Sequence, residues 1–341
     1  MRNIVCVEPG AFELRTGERP RRKPGETLVK VLAVGVCGTD YHAFRGKQPY
    51  FTYPRILGHE IAGEVAETDD DGLDGSRGLK VGDRVTIMPY IACRTCIACR
   101  AGRPNACSEL RVLGVHEDGA MREAMSVPSE YVVKTEDLSL NQTAIVEPMS
   151  IGLHAVNRGE VKPGETVLVI GAGPIGLAAM KFAKLAGAKV IAMDTNVERL
   201  RFCRQWAGAD EIVEASGDVA AKLADITGGE GAATVFDATG SPQSMMKTFD
   251  YAAHGGKVVF VSLVQADISF HDPAFHKKEL TLLASRAATL AEFERVIACM
   301  RAGLLDADGF ITHRAPFGKT IEAFDEWLNP GSGVIKAVIE F

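Results

Sequence analysis

The sequence predicts an α/β protein of two domains: a β-rich domain assembled from both ends of the chain, and a doubly wound parallel-sheet domain inserted between them. Three observations carry this. A chain of 341 residues exceeds the size at which one hydrophobic core usually splits. From about residue 165, apolar runs of strand length (TVLVIGAG, KVIAMD, ATVFDATG, GKVVFVSL and LTLLASR) alternate with amphipathic segments at Pro174 to Leu185, Val197 to Trp206 and Pro242 to Ala253. That alternation is the pattern of βαβ units on a parallel sheet. Finally, the closing runs HRAPF and GVIKAVIEF are apolar and have to pair, and pairing with the N-terminal domain makes that domain discontinuous.

Up to about residue 150 the chain consists of short β-like runs, TLVKVLAVGV, EIAGEVAET and DRVTIM among them, punctuated by glycine and proline. The polar stretch ETDDDGLDGSRGLKVGD at 67–83 reads as a solvated loop, and one more helix is expected from Ala291 to Ala302. With 46% hydrophobic and 24% charged residues, the composition is that of a packed globular enzyme. A formal net charge of -6 gives no electrostatic reason to expect nucleic acid or an anionic membrane as a partner, so small molecules are expected instead. No signal-peptide pattern and no bilayer-length apolar run is present, which predicts a cytoplasmic protein. In that reducing compartment clustered thiols hold metal more often than they form disulfides.

The run VLVIGAGPIGLAAM sets Gly171, Gly173 and Gly176 in G-x-G-x-x-G spacing after an apolar strand and before a helix. The first glycine allows the tight turn, the second lets backbone amides approach a pyrophosphate, and the third lets helix and strand pack closely. The helix N-terminus adds partial positive charge. The next strand ends at Asp194, whose carboxylate can accept hydrogen bonds from both adenosine ribose hydroxyls and repels a 2′-phosphate. The motif therefore predicts NAD rather than NADP. The competing reading makes Asp194 a cap for the following helix.

Two constellations have metal-ligand chemistry. Cys93, Cys96, Cys99 and Cys107 form a C-x2-C-x2-C-x7-C run suited to a closed, structural Zn²⁺ site, with Arg94, Arg100 and Arg103 available to offset its charge. A redox C-x-x-C or an iron–sulfur cluster are the alternatives. Cys37 and His59 supply a thiolate and an imidazole, to which Glu60 or Glu147 can add a carboxylate, leaving one position open as in a catalytic zinc site. Singly, Cys37, His59 and Glu147 also fit packing and helix-start roles.

The pieces GVCGTDYH, GHEIAGEV, VGDRV, the four-cysteine run, VEPMSIGLHAV and VIGAGPIG occur in one order over nearly the whole chain. In them the sequence resembles the zinc-containing medium-chain dehydrogenases/reductases, the group of alcohol, sorbitol and threonine dehydrogenases. The resemblance implies a GroES-like catalytic domain at 1–151 and 286–341 and a Rossmann domain at 152–285. It implies Cys37 and His59 as catalytic zinc ligands, Glu60 or Glu147 as the third, Asp40 as the carboxylate orienting the imidazole, and Thr39 and His42 as a proton relay. The dinucleotide contacts it implies are Gly171, Gly173, Pro174, Ile175, Gly176, Asp194 and Arg199, with Val261, Ser262, Leu263, Ser285 and Arg286 at later strand ends. It also implies a homodimer or homotetramer.

A narrower similarity, in RGKQPYFTYPRILGHE, GVHEDG and DPAFHKKELTLLASRAAT, is to the bacterial L-galactonate 5-dehydrogenase group of sugar-acid oxidoreductases. The implied reaction is hydride transfer between NAD and a secondary alcohol of a polyol or sugar acid. Arg45, Lys47, Arg55 and Arg286 are the cations available for a substrate carboxylate. The segment DGAMREAMSVP departs from the usual D-G-G-F-x-E-Y of the family, in the wall of the substrate cleft. The competing readings are a catalytically silent zinc scaffold that binds NAD and a dehydrogenase of neutral alcohols or threonine.

Overall fold

The structure, a computed structural model, describes residues 1–49, 51–70 and 77–341, so the middle of the loop expected at 67–83 lies outside the described residues. The chain divides into two compact units, Met1–Glu147 with Thr289–Phe341, and Pro148–Ala288. Among the described residues no helix is long and apolar enough to cross a membrane.

The first unit is built on the strand Glu26–Val36, whose sequence ETLVKVLAVGV is rich in β-branched and aliphatic residues and is buried almost throughout. Such a run suits a strand flanked on both sides. It pairs antiparallel with Glu60–Glu67, Ala124–Pro128 and Ala337–Glu340. The sheet runs Val132–Lys134, Arg84–Ile87, Glu60–Glu67, Glu26–Val36, Ala337–Glu340 and His313–Pro316, so the chain's last strand lies beside one of its first. A second sheet pairs Arg2–Glu8 with Ala11–Thr16 and Arg55–Ile56. Ile4, Phe44, Leu57, Phe317, Phe324, Trp327 and Ile339 share one core cluster in this unit.

The second unit is a six-stranded, all-parallel sheet in the order Glu211–Glu214, Lys189–Asp194, Thr166–Ile170, Ala232–Asp237, Ala252–Phe260, Thr281–Ala284. Taken in chain order this is 3-2-1-4-5-6, the doubly wound order of a Rossmann domain. Its switch point falls beside Thr166–Ile170, the strand that leads into the glycine-rich turn.

Local boundaries differ from the sequence expectation in two helices. The segment expected as Val197 to Trp206 is α-helical over Val197–Phe202 and continues as a π turn over Cys203–Ala207, closed by Gly208 at φ 76°. The helix expected to reach Ala253 stops at Tyr251, because Ala252 already pairs with Ala232 in the sheet.

Candidate active site and metal centres

Cys37 ends the central strand region and stands at the N-cap of the helix Gly38–Phe44. Asp40, fully buried in that helix's first turn, accepts the Cys37 N–H at 2.8 Å and the Gly58 N–H at 3.1 Å. Two backbone donors and one carboxylate thus tie the Cys37 turn to the segment that delivers His59. The sulfur of Cys37, the His59 ring and the Glu60 carboxylate offer donor atoms within 4.8 Å of one another. A thiolate, an imidazole and a carboxylate form the donor set of a catalytic zinc site.

Nδ1 of His59 is buried without a hydrogen-bond partner, 3.9 Å from Asp40 Oδ1. That separation is an electrostatic contact, longer than a hydrogen bond. Burial works against the His59 imidazolium, but Asp40 and Cys37 outweigh it and hold its pKa well above the ordinary value. Negative charge converging on one buried ring favours a cation there.

Glu60 is fully buried and its two oxygens accept from Nζ of Lys336, itself buried, at 2.6 and 2.8 Å. Glu147 lies outside the trio of Cys37, His59 and Glu60. It opens the helix Val146–Gly159 and accepts a hydrogen bond from the Tyr90 hydroxyl. Burial first, and then the Glu147 charge, keep Tyr90 protonated as the donor. Burial, with Glu60 adding to it, pushes the Glu147 carboxyl up to about 7. Lys336 and Tyr90 were not foreseen from sequence. A lysine inside the apolar run GVIKAVIEF was the one available signal for the first.

Thr39 is half-buried and His42 exposed, one turn apart on the helix Gly38–Phe44. Partial burial of the ring, then Arg45 and Lys47, lower the His42 pKa, so the ring is neutral near pH 7. Of the cations near this segment, Arg45 donates to the Leu328 carbonyl at 2.9 Å. Arg55 donates to Thr52 at 2.8 Å and lies 3.5 Å from Asp118.

Cys93, Cys96, Cys99 and Cys107 bring their sulfurs within 4.8 Å of one another. The sulfurs also accept backbone N–H groups: Cys107 from Cys93 and Glu109, Cys93 from Cys96, and Cys96 from Cys99. Hydrogen bonds from Thr95 hold the Cys93 thiol low and the amides of Cys99 and Ser108 bring Cys96 down to about 5, while burial and the neighbouring sulfurs push Cys99 up to about 12. Four sulfurs facing one point suit a closed zinc site. Arg94, expected to offset the charge, pairs with Glu130, and Arg100 donates to the Thr95 carbonyl.

In the second unit Gly171 sits at φ 101°, where a Cβ would meet the Ala238 carbonyl at 2.8 Å. A Cβ on Gly176 would fall 1.8 Å from the Gly171 oxygen, whereas one on Gly173 would meet nothing within 4 Å. Two glycines are thus required by packing, and the third keeps open space before the helix Pro174–Leu185, which begins with Pro174 and Ile175. Asp194 accepts the N–H of Ala172 at 2.6 Å and of Asn196 at 2.8 Å. The helix after it is capped by Asn196, which accepts from the Arg199 N–H at 3.0 Å, so Asp194 is not the cap. Val261 and Ser262 donate their N–H groups to the Asp237 carbonyl, Leu263 is 63% exposed, and Ser285 is buried with its hydroxyl unpaired. Arg286 follows Ser285 just beyond the edge strand.

Residues 23–137 match the alcohol dehydrogenase GroES-like domain family and residues 174–302 the zinc-binding dehydrogenase family. L-galactonate-5-dehydrogenase of Escherichia coli K12 is 40% identical over 341 residues, all of this chain and 99% of that protein. The chain belongs to the zinc-binding alcohol dehydrogenase family. Among solved structures, this dehydrogenase superposes on the alcohol dehydrogenase RspB of E. coli CFT073, complexed with NADH, with a TM-score of 0.92 at 28% identity, covering 100% of this chain and 99% of that one. It superposes on a zinc-binding dehydrogenase of Sinorhizobium meliloti 1021, bound to NADP, with a TM-score of 0.89 at 29% identity and the same coverage. The dehydrogenase is therefore a two-domain enzyme of GroES-like and Rossmann parts, with donor sets for two zinc ions.

Proposed function

We propose that this dehydrogenase transfers a hydride between NAD and a secondary alcohol of a polyol or sugar acid, with Cys37, His59 and Glu60 holding a catalytic zinc. The observation that carries the reading is the convergence of those three donors next to the helix that bears Thr39 and His42. Zinc held there supplies a Lewis acid that makes a hydroxyl proton easier to lose. Thr39 accepts that proton as it releases its own toward His42, which, neutral and exposed one turn further along, hands it to solvent. Asp40 holds the two ligand segments in register. Glu147 stands next to the trio with its charge tempered by burial and by the Tyr90 hydrogen bond, and serves as an alternate carboxylate. Cys93, Cys96, Cys99 and Cys107 hold a second, structural zinc.

The dinucleotide is the hydride acceptor. Gly171 and Gly176 shape the turn, the open face at Gly173 admits the pyrophosphate to the helix N-terminus, and Asp194 takes the ribose hydroxyls. A carboxylate at that point disfavours the extra phosphate of NADP.

Similarity to an L-galactonate dehydrogenase supports a sugar-acid substrate. A cation that recognises its carboxylate is expected among Arg45, Lys47, Arg55 and Arg286. The test is a screen for NADH formation over polyols and sugar acids, with Cys37→Ser as the control and kcat/KM compared for an aldonate and its matching neutral polyol. A preference for the aldonate supports the reading, and equal values remove the carboxylate. Activity retained in Cys37→Ser removes the zinc site.

A further inference from the structure

Register sets Asp237 opposite Ile170 in one neighbouring strand and Phe260 in the other, so the loops that begin at Gly171, Ala238 and Val261 leave the parallel sheet side by side. Asp237 is 0% exposed, and both its carboxylate and its carbonyl bond to the segments that follow these strands. One carboxylate oxygen accepts the Thr239 N–H at 3.0 Å and the Thr239 hydroxyl at 2.8 Å, and the other accepts the Ser244 hydroxyl at 2.5 Å. The carbonyl accepts the N–H groups of Val261 at 2.9 Å and Ser262 at 3.3 Å. Thr239 extends the tether: its hydroxyl accepts the Ser241 N–H at 3.0 Å, and Ser241 caps the helix Pro242–Tyr251. The same loop closes on the glycine turn, because Ala238 donates its N–H to the Ile170 carbonyl and its own carbonyl leaves no room for a Cβ on Gly171. Burial pushes the Asp237 carboxyl above the ordinary carboxylate range, against the pull of the Ser244 and Thr239 donors. Packing alone gives no use for a carboxyl in so dry a place, since an apolar side chain would fill it without that cost.

We propose that Asp237 is a positioning residue for the nicotinamide half of the dinucleotide, fixing the loops at 238–241 and 261–263 at the spacing that half requires. The inference rests on the reading of the glycine turn and Asp194 as the dinucleotide site. A dinucleotide lies across the switch point of a doubly wound sheet, with its adenosine ribose at the acidic residue that ends the second strand. That residue, Asp194, lies on one side of Thr166–Ile170, and Asp237 lies on the other. The adenosine half therefore falls to the Asp194 side and the nicotinamide half to the loops that Asp237 holds. Asp237, being buried, acts only through those loops.

The test measures NADH and AMP binding to the full-length enzyme by calorimetry, beside thermal melts. AMP probes the adenosine half alone. Asp237→Ala is expected to weaken NADH binding at least ten-fold while AMP binding stays within about two-fold of the parent. Asp237→Asn keeps an acceptor for Thr239 and offers the Ser244 hydroxyl a donor in place of an acceptor, so it is expected to bring NADH binding back to within about three-fold of the parent. A lower melting temperature with parent-like NADH binding in Asp237→Ala marks a role in folding alone and overturns the proposal. An equal loss of NADH and AMP binding overturns it as well, as does a loss in Asp237→Asn as large as in Asp237→Ala. Should Asp237→Ala fail to fold, Ser244→Ala removes one of the three donors and is read in its place: a loss of NADH binding of at least three-fold with AMP unchanged supports the proposal, and parent-like NADH binding overturns it. Asp194→Ala is the control for the site itself. If it leaves AMP binding at the parent's value, the reading of the dinucleotide site fails first, and the role of Asp237 with it.

Discussion

Asp40 accepts the backbone N–H of Gly58, the residue before His59, at 3.1 Å, while its other oxygen holds the Cys37 N–H at 2.8 Å. One buried carboxylate therefore aligns two proposed ligand segments. Asp40→Ala leaves both N–H groups without that acceptor, at a cost of about 1–3 kcal/mol each where they stay dry. The thermal midpoint is expected to fall, and metal affinity at the Cys37 site to drop roughly 10–100-fold, as for other groups that support a metal ligand. Unchanged affinity in a chelator titration would remove Asp40 from the metal site.

The three glycines of the nucleotide turn are expected to separate by role. Gly176→Ala drives a Cβ to 1.8 Å from the Gly171 oxygen, so it should destabilise the second unit by about 1–3 kcal/mol or more through overpacking. Gly173→Ala meets open space and should leave the unfolding midpoint unchanged while weakening NADH binding, because the added methyl occupies the approach to the pyrophosphate. Fluorescence titration with NADH, run beside thermal melts, distinguishes the two.

Turnover should carry an acid limb set by His42. Burial, Arg45 and Lys47 all disfavour the imidazolium, so the ring's pKa lies below the usual 6.5, and the neutral, proton-accepting form persists as pH falls past that value. Removing a positive neighbour in Arg45→Ala relieves part of this and should move the limb of the kcat profile to higher pH. His42→Gln should abolish that movement. A limb at the same pH in the parent, Arg45→Ala and His42→Gln enzymes would exclude His42 from the relay.

Cys107 is 1% exposed and its sulfur accepts two backbone N–H groups, so Cys107→Ser loosens a lobe that has little apolar core of its own. One zinc per chain should be lost, and a stability loss of about 2 kcal/mol would lower the melting temperature by roughly 4–8 °C. NADH affinity should be retained, because the nucleotide turn lies in the other unit. Metal analysis showing two zinc ions in Cys107→Ser would disprove the closed four-sulfur site.

Much of this enzyme was legible in its sequence wherever function sits within a few consecutive residues. The glycine turn, the cysteine run and the alternation of the parallel sheet all depend on local spacing. The helix Thr320–Trp327 was not anticipated, although it carries Phe324 and Trp327 into the first unit's core, because a short amphipathic segment between two expected strands has no distinctive period. The π turn at Cys203–Ala207 went unseen for a similar reason: it continues a helical pattern with altered hydrogen bonding.

Residue types determined the chemistry available here: thiolates and an imidazole for zinc, glycines for a phosphate, a carboxylate for a ribose. Tertiary structure alone decided how the two acidic side chains differ. Glu60 is gripped by a lysine 276 positions away, across a strand whose glycine makes room, while Glu147 is held by the phenol of Tyr90. Those partnerships arise from strand register and burial, which bring distant segments to hydrogen-bond range and exclude water, and neither is encoded in the spacing of neighbouring residues.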